Sequence, residues 1–168
     1  DNMATDTLPA ASPDGKWLAW AAMKRPTYEA DRMVIQLGNL QTNTSAPLAA
    51  NWDVSVESLT WAADSKSLFV TARDNFDKPL FRVDVPSGKV TRLTKDGSVG
   101  DVAADPKGGA VVTMDSLTAP ADLYHVDSKG QTTRLTSVNA DKLADIDTPR
   151  AIKFSFKGAN GDTVWGYQ

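Results

Sequence analysis

The stretch "SPDGKWLAWAA", residues 12–22, decides the fold. A polar turn, Pro13-Asp14-Gly15-Lys16, runs directly into a short apolar segment. Aspartate and serine bond locally to the backbone in such turns, and glycine accepts positive φ without steric cost. The apolar run is too short for a stable helix. Looser copies follow: "AADSKSLFVTA" at 62–72 and "DPKGGAVVTM" at 105–114. Each is a turn and then a segment rich in valine, phenylalanine, leucine or tryptophan, the composition of a strand.

A second phrase follows each first one: "RMVIQLGNLQTNTSAPLAA" from 32, "PLFRVDVPSGKVTRLTKDG" from 79 and "ADLYHVDSKGQTTRLTSVN" from 121. In the last two, Val83-Asp84 matches Val126-Asp127, Gly88 matches Gly130, and Arg92-Leu93-Thr94 matches Arg134-Leu135-Thr136. Each reads as strand, glycine-containing turn, strand. A third phrase precedes two of the turns, "VESLTWAADS" at 56–65 and "VGDVAADPKG" at 99–108. The unit is four short strands, repeated at roughly 43 to 50 residues, which is the period of a β-propeller blade. A β-sandwich with accidental internal similarity is the competing architecture. The ordered phrases favour blades.

The sequence therefore predicts an all-β chain: a partial β-propeller of about three four-stranded blades, then a linker, then a β-hairpin. The blades occupy residues 1–137, with the "KWLAW" segment expected as an inner strand. Residues 138–150 read as a linker or short helix, and residues 151–168 as the hairpin. Phe154 and Phe156 alternate there with Lys153, Ser155 and Lys157, and Asn160-Gly161 marks the turn. Three blades do not close a ring of four to eight, so the chain is expected to be a piece of a longer protein.

Composition narrows the function. The chain has 168 residues, a net charge of −3 and no cysteine. It carries no basic run of the kind that binds phosphate backbones, so no nucleic-acid partner is expected. No apolar stretch reaches the roughly 18 residues of a membrane span. Disulfides, thiolate nucleophiles and cysteine zinc sites are ruled out by composition. "DNFD" at 74–77 and "DKLADID" at 141–147 gather carboxylates without calcium-loop spacing and read as solvated loops. No cofactor and no metal are expected. Asn43-Thr44-Ser45 is a formal glycosylation sequon, relevant only to a eukaryotic secretory protein.

Taken together, "SPDGKWLAW", "KRPTYEADR", "PLFRVDVPSGKVTRLT", "DLYHVD…TRLTSVN" and "FSFKGANGDTVWGYQ" resemble the prolyl oligopeptidase family of serine peptidases, its dipeptidyl-peptidase and acylaminoacyl-peptidase branch in particular. The resemblance implies the end of a propeller followed by the first hairpin of an α/β-hydrolase domain of the same chain. It implies a parent enzyme that cleaves peptides, with the propeller gating access. It implies a periplasmic or secreted bacterial location, although a cytoplasmic one is compatible with the sequence. No serine here lies in the G-x-S-x-G elbow that activates the family's nucleophile, so the chain alone is expected to be inactive. His125 sits inside a strand, where the sister repeat has Arg82, and reads as an ordinary strand residue. The alternatives are a non-enzymatic TolB-like propeller that binds protein partners in the periplasm, and a carbohydrate-active or lyase propeller. The hairpin "FSFKGANGDTVWGYQ" argues against the first, and the single histidine against a histidine-rich metal site in the second.

One segment has functional character. "AAMKRPTYEADRM", residues 21–33, is longer than the matching "TARDNFDKP" and concentrates charge. A peptide presents an ammonium at one end and carbonyls along its length. A carboxylate suits the first, and arginine and tyrosine the second. Dipeptidyl members of the family hold the substrate amino terminus on acidic propeller residues. By that resemblance Glu29 is the candidate, with Asp31 second and Arg25 and Tyr28 assisting. Mutual pairing of these charges to pin the loop is the competing reading. Trp17, Trp20, Trp52 and Trp61 read as blade-core or inter-blade residues, and Trp165 as packing where the hairpin meets the next domain.

Open blade edges invite pairing between chains. The isolated chain is expected to self-associate, with a mass in light scattering that rises with concentration; a monomer peak independent of concentration would contradict this.

Overall fold

A computed structural model describes residues 2–148 and 150–168. Twelve strands form three four-stranded antiparallel sheets in simple meander order. The first sheet is β1 (Asp6–Ala11), β2 (Trp17–Ala22), β3 (Val34–Asn39) and β4 (Thr44–Pro47). The second is β5 (Val56–Trp61), β6 (Ser67–Ala72), β7 (Leu80–Asp84) and β8 (Val90–Arg92). The third is β9 (Ser98–Ala104), β10 (Ala110–Ser116), β11 (Ala119–Val126) and β12 (Thr132–Arg134). A four-residue helix, α1 (Ala140–Leu143), follows, and then a hairpin of β13 (Lys153–Lys157) and β14 (Thr163–Tyr167).

The sheets stack face to face. Side chains alternate across a strand, and the second sheet uses both faces. Leu68, Val70, Phe81 and Val83 pack against Ala19, Ala21, Ile35 and Leu37 of the first sheet. Phe69 and Leu80 pack the other way, against Val99, Ala110, Val112 and Val126 of the third. All six residues of β6 are buried. Each large side chain buried in this way contributes about 1.5–3 kcal/mol. The alanines of β2 let the neighbouring sheet approach closely.

Polar bonds fix the stacking. The Trp61 indole Nε1–H donates to the Ala10 carbonyl at 2.8 Å, and the Asp14 amide donates to Ser65 Oγ at 3.1 Å. The turns repeat one device. An aspartate accepts from the amide two residues on: Asp14 from Lys16, Asp64 from Lys66 and Asp105 from Lys107. Here lies the physical content of the recurring "D-x-K" phrase. His125 Nε2 lies 3.0 Å from Asp105 Oδ2, tying β11 to the third such turn.

Strand β5 lies beside β1 and β9, so the first strand of each sheet is the one nearest its counterparts. This corrects the expectation for "KWLAW", which forms β2, the second strand. The true first strand of the first sheet, "DTLPAA", was hidden because it shares no phrase with β5 or β9. All three first strands carry a register shift against their partner, next to Thr7, Val56 and Val99. Such bulges bend a strand and increase its twist.

Of the four tryptophans expected in the core, Trp61 is buried, and Trp17 and Trp52 pack against the same cluster. Trp52 meets Phe81 edge-on at 4.7 Å between centroids. Trp20 points the other way. It covers Gly38 on the face of the first sheet opposite the second sheet, where an added Cβ would lie 3.1 Å from its ring.

The repeated "RLT" phrase also has a common geometry. Arg92 Nε donates to the Thr94 carbonyl and Arg134 Nε to the Thr136 carbonyl, each at 2.8 Å. Thr94 Oγ1 accepts from Leu80 N and Thr136 Oγ1 from Leu123 N, each at 2.9 Å. In the third sheet the motif closes on a buried carboxylate, Asp122. It accepts from Val138 N at 2.9 Å, from the Arg134 guanidinium, and from Thr136 Oγ1 at 2.7 Å. These bonds, the Val138 amide first, hold its pKa down to about 2 from an ordinary 3.8.

A depressed carboxylate stabilises the fold above its unfolded pKa and loses that contribution as pH falls through the folded one. Part of the acid sensitivity of the chain, between about pH 4 and pH 2, therefore belongs to Asp122. Asp122→Asn lowers the urea midpoint at pH 7 and flattens its pH dependence in that window. An unchanged dependence would contradict the assignment.

Candidate functional site

Connections between the second and third strands of all three sheets emerge at one end of the stack. They are residues 23–33, residues 73–79 and the tight turn Leu117-Thr118. The first is the charged loop singled out in the sequence. It begins where Met23 N donates to the Thr5 carbonyl and ends where Met33 N donates to Ser55 Oγ. The Arg32 guanidinium donates to the Trp52 and Ala50 carbonyls at 2.8 and 2.9 Å, binding the loop to the β4–β5 connection.

Inside the loop, Asp31 is the clamp. Its Oδ2 accepts from the amides of Lys24 at 2.8 Å and Arg25 at 2.7 Å, and its Oδ1 lies 3.3 Å from Arg25 Nε. These bonds, the Arg25 amide first, hold its pKa below the ordinary carboxylate value against partial desolvation. The Arg25 guanidinium lies over the Tyr28 ring, its Cζ 3.8 Å from the centroid. Thr27 adopts φ 59°, a left-handed conformation that costs a β-branched residue about 1–2 kcal/mol. The Asp31 clamp holds that turn in place.

Of the four candidate residues, the structure thus brings three together. Arg25, Tyr28 and Asp31 form one self-bonded unit. Glu29 is exposed at the loop tip, and among the described residues it has no ion-pair partner. A cleft of about 670 Å³ opens beside the loop, lined by Trp20, Met23, Lys24, Arg32 and Gln36.

A second group at the same end was not singled out from the sequence. Asp77, in the β6–β7 connection, is one-tenth exposed and accepts from Gly97 N at 3.1 Å. It pairs with Lys153 of the hairpin and lies 3.9 Å from Arg92 Nη2. Lys153 Nζ also lies 3.6 Å from Asp96, and its pKa is raised chiefly by the hydrogen bond to Asp77. Asp74 pairs with Arg92. This corrects the reading of "DNFD" as wholly solvated: both of its aspartates are ion-paired. The missed signal was the match of Lys153 and Arg92 as cations to a short acidic loop, and it needs the third dimension. Phe76 meets Tyr167 of the hairpin at 4.5 Å between centroids. Asp77, Ser98, Leu117, Lys153 and Tyr167 line a cleft of about 330 Å³ between the hairpin and the sheets.

No family model matches the chain. Dipeptidyl-peptidase 5 of Porphyromonas endodontalis is 33% identical over 167 residues, 97% of this chain and 24% of that protein. The acylaminoacyl peptidase of Pyrococcus horikoshii superposes with a TM-score of 0.77 at 17% identity, covering 95% of this chain and 24% of that one. TolB of Acinetobacter baumannii superposes at 0.62 with 20% identity, over 98% of this chain and 41% of that one. The structural likenesses establish the propeller architecture. The sequence likeness adds the lineage: the chain belongs to the prolyl oligopeptidase family, as part of its propeller. It spans about a quarter or less of the curated relatives it matches, at 24% of one and 22% of another.

Proposed function

We propose that this chain is the propeller portion of a serine exopeptidase, that it gates peptide access, and that Glu29 binds the substrate amino terminus. The hairpin β13–β14 is then the start of an α/β-hydrolase domain in the same protein, which supplies the nucleophile, acid and base. The observation that carries the reading is positional. The 23–33 loop leaves the same end of the stack as the 74–77 loop, on which the hairpin rests. A hydrolase domain built onto the hairpin lies on the side of the loop.

The chemistry of the loop supports the division of labour. Asp31 is consumed in holding the loop, and the Arg25 guanidinium is stacked on Tyr28. Glu29 is the carboxylate left to meet an ammonium. In a site dried by bound peptide, that charge pair is worth more than in water. Asp31, Arg25 and Tyr28 become positioning residues for it. A non-enzymatic, TolB-like partner-binding propeller is the second reading, favoured by the superposition with TolB. A periplasmic or secreted location fits both.

The test uses the product of the reading frame that encodes this chain, beside the 168-residue chain itself. A fluorophosphonate probe should label the former and not the latter. Failure of a folded full-length product to label would leave the partner-binding reading. In the labelled enzyme, Glu29→Ala raises KM for substrates with a free amino terminus by roughly 10- to 100-fold, the loss of a charged hydrogen bond. Amino-blocked substrates and kcat should change little. An equal effect on blocked substrates would remove the assignment of Glu29.

A further inference from the structure

The two junctions between neighbouring sheets are not alike. At the end of the stack opposite the 23–33 loop, each sheet turns from its first strand into its second. The three turns correspond by their hydrogen bonds. Ser12 N donates to the Trp17 carbonyl, Ala62 N to that of Ser67 and Asp105 N to that of Gly109, at 2.9, 2.9 and 3.0 Å. Gly15, Ser65 and Gly108 hold the matching place inside each turn. All three have positive φ, and each donates back to the carbonyl of the residue that opens its turn.

The first junction is closed. Ser65 Oγ accepts from Asp14 N across it, and Trp17 and Leu37 pack into it. The second junction has none of these features. Gly108 stands in the place of Ser65 and has no hydroxyl. Ser67 stands in the place of Trp17. Arg82, the register partner of Phe69, stands in the place of Leu37, the register partner of Ala19. A cleft of about 290 Å³ opens there, and both of its walls are sheets of this chain.

Its lining is polar over an apolar floor. Phe69 and Ala62 form the floor, and both are buried. Ser67 is only 7% exposed, and its hydroxyl opens onto the cleft without a hydrogen-bond partner among the described residues. The amide of Gly109, a buried residue, also borders the cleft and lacks a partner among the described residues. Arg82 donates through Nε to Asp84 and through Nη1 to the Ser128 carbonyl, each at 3.0 Å. Those bonds fix the guanidinium and leave Nη2 available. At the rim, Asp64 accepts from Lys66 N through Oδ1, and its Oδ2 has no partner among the described residues. Arg82 and Lys107 balance Asp64 and Asp105 in charge.

We infer that this cleft binds a small zwitterion, an amino acid or a short peptide, with its carboxylate on Arg82, Ser67 and Gly109 and its ammonium on Asp64. Charge-assisted donors around one small space suit a carboxylate. A buried hydroxyl left without a partner is costly, and a ligand oxygen removes that cost. The balanced lining disfavours a phosphate, whose excess charge it would leave unpaired. The site goes beyond the proposed function and does not depend on it.

Isothermal titration of the product of the reading frame that encodes this chain tests the site. A Glu29→Ala background keeps the 23–33 loop out of the measurement. Alanyl-alanine and free alanine are the probes for the two sources of the zwitterion, with alanyl-alanine amide and inorganic phosphate beside them. At least one zwitterion should bind at one site with Kd of about 1 mM or below. Phosphate should not bind, and the amide, which lacks the carboxylate, should bind about tenfold more weakly than the dipeptide or worse. Ser67→Ala and Arg82→Leu should each weaken zwitterion binding by about tenfold or more. In Arg82→Leu the dipeptide and its amide should bind alike, a result that a general loosening of the junction does not produce. Ser67→Trp fills the cleft and should abolish binding. Melting temperatures without ligand report folding, and where Ser67→Trp does not fold, the other two variants decide. Absence of binding by both zwitterions, binding of phosphate in their place, or binding indifferent to Ser67→Ala and Arg82→Leu would overturn the inference.

Discussion

A four-stranded antiparallel sheet with apolar side chains on both faces cannot persist in water, and the stacking of the three sheets follows from that constraint. The second sheet shows it most plainly. Leu68 and Val70 need a neighbour on one side, Phe69 and Leu80 on the other, and the flanking sheets supply one each. Burial of this kind is non-directional. The Trp61–Ala10 and Asp14–Ser65 bonds add the direction. Stacking then forces the connections between second and third strands to one end. The architecture thus decides where functional loops can sit before any of their chemistry is chosen.

Repetition made most of the fold legible. The turn at 12–16 and its copies carry an aspartate that caps its own turn, and that device needs only local residues. The "RLT" phrase likewise encodes a local arginine and threonine geometry. The first strands were harder to see. β1 shares no phrase with β5 or β9, because what these strands have in common is a register shift and a place beside one another. Those are relations between strands, not residue types. Trp20 shows a related limit. Alternation puts it on the face opposite Ala19 and Ala21, and only the stacking order says which face is covered.

The candidate site was half legible. Its charge density marked the 21–33 loop, but sequence did not separate the residues that hold it from the one left free. Asp31 and Glu29 are both acidic and two positions apart, yet one accepts two amides while the other faces solvent. Asp77 was invisible as an anchor, because its partner Lys153 lies far along the chain and neither stands in a motif. The contrast between the two regions is physical. The sheets are held by buried area, and the hairpin meets them through an ion pair and an aromatic contact.

Native-state hydrogen exchange tests the stacking of the sheets most directly. Amides of β6, whose six residues are all buried, should exchange only through global unfolding, with those of β2 and β7 close behind. Amides of β4 and β12, edge strands whose residues are all exposed, should exchange faster by at least about a hundredfold, as expected of local opening. If β6 opens as readily as β4 and β12, the account of a frame held by burial on both faces of the middle sheet is wrong.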